Sequence, residues 1–142
     1  MTTRAQMSKL AEHEGGHTEL MRAALEGKTE RVKALLESGA AVNERDDEGR
    51  TALMFAVANM QTDSAKALLD HGADVNVKAN DGSTALLLAA SSGDSGTVRD
   101  LLSKGAHASA KFNQTGKTAL MLAKEKGYTD IVQLLEAAGA KQ

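Results

Sequence analysis

The sequence has no cysteine, no proline and no tryptophan, and only one tyrosine and two phenylalanines among its 142 residues. Without cysteine there are no disulfides, no thiolate metal ligands and no thiol nucleophile. A reducing compartment is therefore allowed, and a disulfide-stapled secreted scaffold is excluded. Nucleic-acid binders combine clustered lysine and arginine with aromatic stacking platforms, and this chain has neither. Net charge is -2, and the largest local imbalance falls in residues 46–78, with three basic and six acidic side chains. No run of about 18 apolar residues occurs, and the first sixteen residues hold no stretch long enough for a signal peptide. The expectation is a soluble cytoplasmic chain, with no nucleic acid and no membrane as partner.

What the chain has instead is alanine, leucine and valine. A core of that kind suits closely packed helices, because small side chains let helix axes approach while leucine fills the gaps. At this length one domain can bury roughly two-thirds of its unfolded surface, so no accessory staple is required.

The residues recur at a fixed offset. Gly-Ala pairs stand at Gly39-Ala40, Gly72-Ala73, Gly105-Ala106 and Gly139-Ala140, spaced 33, 33 and 34. A glycine two residues before a threonine recurs at Gly16, Gly49, Gly82 and Gly116 with the same spacings. The threonines, Thr18, Thr51, Thr84 and Thr118, stand where a side-chain oxygen caps a helix running into Leu-x-x-Ala, the spacing of an apolar helix face. Hydroxyls at Thr29, Thr62, Ser95 and Thr129 are expected to cap a second helix, which a Gly-Ala glycine then ends in the left-handed conformation. A polar stretch with Asp-Glu-Gly or Asn-Asp-Gly makes a hairpin-like turn into the next unit.

Turn, helix, loop, helix in four registered copies resembles the ankyrin repeat family. The match is closest in Asp46-Asp47-Glu48-Gly49-Arg50-Thr51-Ala52-Leu53 and in Leu68 through Asn76. The resemblance implies an all-α ankyrin-repeat solenoid of stacked helix pairs joined by hairpin-like turns. Its expected divisions are an N-terminal extension or extra helix at 1–13, then repeats at 14–45, 46–78, 79–111 and 112–142. The family's proline is replaced by Glu19, Ala52, Ala85 and Ala119, which are good helix formers, and its histidine by Met21, Met54, Leu87 and Met121.

Other departures carry expectations of their own. Met60 replaces the helix-ending glycine found at Gly27, Gly93 and Gly127, and Asn59 is expected to take the left-handed conformation there. Gly96 and Thr97 are poor helix residues, so the second helix of the third unit should fray first. One extra residue lies between Ser109 and Gly116 and lengthens the last finger, where Phe112 is either an exposed anchor or tucked against its own repeat.

Three catalytic motifs compete with this register. His13-Glu14-Gly15-Gly16-His17 matches H-E-x-x-H and supplies the alternative reading, a zinc-dependent hydrolase. That chemistry needs continuous helix between the histidines, whereas two adjacent glycines cost about 1 kcal/mol each, and the register places Gly16 in a turn. Gly93-Asp94-Ser95-Gly96 resembles a serine-protease nucleophile segment but falls between helices. Gly116-Lys117-Thr118 ends like a phosphate-binding loop, yet Lys111 stands where that loop requires glycine.

The leading expectation, which the resemblance to ankyrin repeats implies, is a non-catalytic module without cofactor or metal, a monomer that binds another protein through finger tips and a concave helix face. The register nominates Arg45, Asp47, Glu48 and Arg50 on the first finger, Lys78, Asn80, Asp81 and Ser83 on the second, and Phe112, Gln114 and Lys117 on the third. Asn59, Ser91, Ser92 and Glu125 would line the helical part. The acidic run Asp46-Asp47-Glu48 points to a partner with a basic patch.

Overall fold

A computed structural model describes residues 16–140, and these hold eight α-helices in four pairs. We number them α1 (Glu19–Leu25), α2 (Thr29–Glu37), α3 (Ala52–Ala58), α4 (Thr62–Asp70), α5 (Ala85–Ser92), α6 (Ser95–Ser103), α7 (Ala119–Lys126) and α8 (Thr129–Ala137). The proposed extension at 1–13 lies outside the described residues, as do His13, Glu14 and Gly15.

The first helix of every pair starts as expected. Thr18, Thr51, Thr84 and Thr118 each accept a hydrogen bond through Oγ1 from the amide three residues on, at 3.1, 3.4, 3.3 and 3.3 Å. Each cap satisfies a donor that the first helical turn cannot. In α1 the cap is reciprocal, because the Thr18 amide donates to Met21 Sδ at 3.4 Å. A thioether there takes up the amide of the capping residue.

The second helices start differently. Thr29, Thr62, Ser95 and Thr129 are the first helical residues rather than caps; the capping positions are Lys28, Gln61, Asp94 and Tyr128. The cause is how the first helix ends. The amides of Lys28, Gln61, Asp94 and Tyr128 reach back to the carbonyls of Ala23, Ala56, Ala89 and Ala123, closing the end by a Schellman motif. One residue thus closes the first helix and opens the second, and the hydroxyl arrives one position too late to cap. Thr29 Oγ1 instead pairs with Ser64 Oγ at 3.0 Å.

One other expectation is corrected. At the end of α3 it is Met60, not Asn59, that adopts the left-handed conformation, with φ of +56° against -99° for Asn59. The Gln61 amide must reach the Ala56 carbonyl, and only the residue between Asn59 and Gln61 can turn the chain for it. The structure also gives α6 the same nine residues as the other second helices. Asp94 holds its start, accepting from the Thr97 amide at 3.2 Å and the Thr97 hydroxyl at 2.6 Å. It is the only second helix among those described with a side-chain N-cap.

The chain divides into two compact units, Met1–Ala73 and Asp74–Gln142. In the first, α1 packs on α3, α2 on α4, and each helix on its pair partner. The second unit repeats this with α5 on α7 and α6 on α8. Ala24, Ala56, Ala89 and Ala123 are fully buried between helices, and Leu53, Leu68, Leu86, Leu101, Ile131 and Leu135 fill the spaces around them. Burying a side chain of the latter kind contributes about 1.5–3 kcal/mol.

Candidate partner-binding surface

Both units present polar turns ahead of their first helices, and their rigidity starts with backbone hydrogen bonds. In the first unit the Asp46 amide donates to the Arg50 carbonyl at 2.8 Å, and the Gly49 amide to the Asp46 carbonyl at 2.9 Å. The side chain of Asp46 closes the turn from inside. Its Oδ1 accepts from the amides of Glu48 (3.0 Å) and Arg50 (2.8 Å), and its Oδ2 from Arg50 Nε at 2.9 Å.

With its side chain 0% exposed, Asp46 is not part of an acidic tip, contrary to the sequence expectation. A buried carboxylate persists where several donors hold its charge, as here. Asp47 and Glu48 remain exposed on the turn, and Arg45 stands beside them, its Nε donating to the Gly49 carbonyl at 3.2 Å. Arg50 is half-buried; besides binding Asp46 it lies 4.9 Å above the Phe55 ring.

Sequence reasoning passed over two members of this cluster. His17 meets Phe55 edge-on at 5.4 Å between ring centroids, and its Nε2 lies 3.3 Å from Asp46 Oδ2 without the alignment of a hydrogen bond. The Asp46/Arg50 spacing of four and an aromatic on the following helix were the available signals. Gly16 has φ of +75° and abuts Asp47, where a Cβ would come within 2.8 Å of Oδ1. The backbone at Gly16 is thus not right-handed α-helix, so the described part of the H-E-x-x-H match lacks the α-helix that a zinc site of that type needs. Among the described residues no group of three or more potential metal ligands forms.

At the C-terminal end of α3, Asn59 is exposed and donates through Nδ2 to the Leu25 carbonyl at 3.1 Å.

In the second unit the Ala79 amide donates to the Ser83 carbonyl at 2.9 Å. Lys78, Asn80 and Asp81 are exposed. Ser83 is withdrawn, only 5% exposed, because its amide and hydroxyl both donate to Asp81 Oδ1, at 2.9 and 2.6 Å. It cannot serve as a surface contact. The third finger carries its extra residue inside the turn: Phe112 pairs its amide with the Lys117 carbonyl at 3.1 Å, and Gly116 returns to the Phe112 carbonyl at 2.9 Å.

Asn113 hooks this longer finger onto the second one, donating from its amide to the Asp81 carbonyl and from Nδ2 to the Asn80 carbonyl, both at 2.9 Å. A Cβ on Gly82 would come within 2.8 Å of the Lys111 carbonyl, so this close approach requires glycine.

Phe112 is half-buried, between the two expectations, while Gln114 is exposed. Lys117 pairs with the exposed Glu125 at 2.9 Å. Ser91 and Ser92 are half-buried, and Lys126 Nζ donates to the Ser91 carbonyl at 2.8 Å.

The family model described as ankyrin repeats, in three copies, matches residues 4–79 and 77–142. The chain belongs to the ankyrin-repeat family, and its fold class is all-α. No curated protein matches the sequence. Ankyrin repeats are as a family protein–protein interaction modules, typically without catalytic activity. Among the described residues no helix is long and apolar enough to cross a membrane.

Proposed function

We propose that this chain is a non-catalytic adaptor that binds a partner protein through its finger tips and the adjoining ends of the first helices. The observation that carries this reading is the combination of exposed polar side chains and self-satisfied turns. Asp47, Glu48, Asn80, Asp81 and Gln114 are exposed, while the backbone beneath them is closed by its own hydrogen bonds. A surface ordered before binding loses little entropy when a partner docks, which favours recognition over refolding.

Asp47 and Glu48 favour a basic contact on the partner, Lys78 and Gln114 a polar or acidic one. We further place the protein in the cytoplasm, as a monomer, in keeping with a chain free of cysteine.

Affinity capture from the native cell tests this reading. Asp47→Lys with Gln114→Lys, both at exposed positions, is expected to lose the proteins retained by the wild-type chain while keeping its helical circular dichroism. Equal recovery by wild type and double variant would remove the finger tips from the interface.

A further inference from the structure

The second unit contains a groove of about 260 Å³ at the base of its two fingers. Asn76, Lys78, Thr84, His107, Ser109 and Lys111 face it, and none of its lining residues is acidic. Its walls are fixed. Asn76 donates through Nδ2 to the Gly105 carbonyl at 3.1 Å and accepts the His107 amide on Oδ1 at 2.8 Å. Lys111 lies in an antiparallel bridge with Thr118, and Lys78 immediately precedes the paired turn that starts at Ala79.

Thr84 is 4% exposed, and its Oγ1 already accepts the Leu87 amide, which leaves the hydroxyl proton to donate. It also marks the start of α5, whose positive dipole end favours an anion. Lys111 and the His107 ring have no charged partner among the described residues.

We infer that this groove binds a phosphoryl group, with Lys78 and Lys111 supplying the charge and Thr84, Ser109 and the His107 ring supplying hydrogen bonds. Size and chemistry both select the ligand. The volume falls just below the range of roughly 300–1,000 Å³ typical of pockets for whole drug-sized molecules, so it suits one group on a stem. Lysine binds phosphate as a point charge, and two lysines with three neutral donors match the double charge and three terminal oxygens of a phosphoryl group better than the single charge of a carboxylate. The group can belong to a phosphorylated side chain or to a free phosphate ester. Lys78 belongs to both surfaces, but the substitutions that test them differ, at Asp47 and Gln114 for the finger tips and at Lys78 and Lys111 for the groove, so either can fail alone.

The test is a titration of the full chain followed by amide resonances at constant ionic strength. The probes are inorganic phosphate, phenyl phosphate, and a serine peptide with and without phosphorylation; sodium chloride serves as the blank. Saturable shifts centred on Lys78, Ser109 and Lys111 are expected with phosphorylated probes. Affinity should fall at least tenfold in Lys78→Gln/Lys111→Gln and stay unchanged in Lys104→Gln, an exposed lysine outside the groove.

Tighter binding of the phosphopeptide than of phenyl phosphate would assign the group to a protein side chain, and the reverse order to a free ester. Shifts that never saturate, that chloride reproduces, or that survive the double substitution would overturn the site.

Discussion

The two units solve the same construction problem with different chemistry. In the first, the finger is clasped from within by a buried carboxylate, Asp46, which binds two amides and a guanidinium. In the second, the alanine at the equivalent place, Ala79, offers no such clasp, and the third finger is hooked by Asn113 onto the carbonyls of Asn80 and Asp81. The helix-to-helix turns differ too: the first unit uses Gly27 at one turn but forces Met60 into a left-handed conformation at the other, whereas the second uses glycine at both, Gly93 and Gly127. A repeat therefore specifies where a turn must close but leaves open which side chain closes it. The first unit concentrates its closure in one buried carboxylate; the second spreads it over several bonds, among them those of the exposed Asp81 carboxylate to Ser83 and of Asn113 to the neighbouring finger.

That contrast can be broken at its strongest point first. Asp46→Ala removes the clasp and strands the Arg50 and Glu48 amides, and is expected to cost about 2–4 kcal/mol, read as a lower urea midpoint. A loss of well under 1 kcal/mol would mean that the carboxylate is a passenger. In the second unit, Asp94→Ala removes the α6 cap and the partner of the buried Thr97 hydroxyl, with an expected cost of about 1–2 kcal/mol. Amide exchange should then show α6 opening before α8; without the substitution, α6 should be no less protected than its neighbours.

Asn113→Ala keeps the backbone bond and loses only the exposed amide bond, so about 0.5–1 kcal/mol is expected, with the shift confined to the second and third fingers. The smallest effect has the opposite sign. Met60→Gly relieves the left-handed strain and exchanges it for backbone entropy, for a net gain of about 0.5 kcal/mol in thermal or urea unfolding. Loss of stability would show that the exposed Met60 side chain contributes packing that outweighs its strain.

The helix pairs, the threonine caps of the first helices and the position of the long finger were legible in the sequence, because each rests on a residue type recurring at a fixed offset. The starts of the second helices were not. A hydroxyl near a helix start signals a cap, but the Schellman closure at Lys28, Gln61, Asp94 and Tyr128 moves the capping position one residue earlier. The same fixed offset decides Met60 over Asn59: asparagine tolerates the left-handed region better, yet the chain has to turn at position 60.

At the candidate surface, most of the nominated residues are exposed or half-buried. Asp46 and Ser83 were misjudged, because composition places an aspartate or serine in a turn without saying whether its side chain points outward or folds back onto the amides of that turn. Phe55 and His17 went unremarked as a pair because they are distant in sequence and meet only once the first unit is packed.

The central claim, recognition by finger tips, is tested most directly by photo-cross-linking in the native cell. A photoreactive residue would be placed singly at positions 47, 80 and 114 on the turns, and at 33, 66 and 99 on exposed positions of the second helices. The account predicts the same partner adducts from the three turn positions and none from the three helix positions. Adducts from 33, 66 and 99 with silence at the turns would place the interface on the second helices and contradict it.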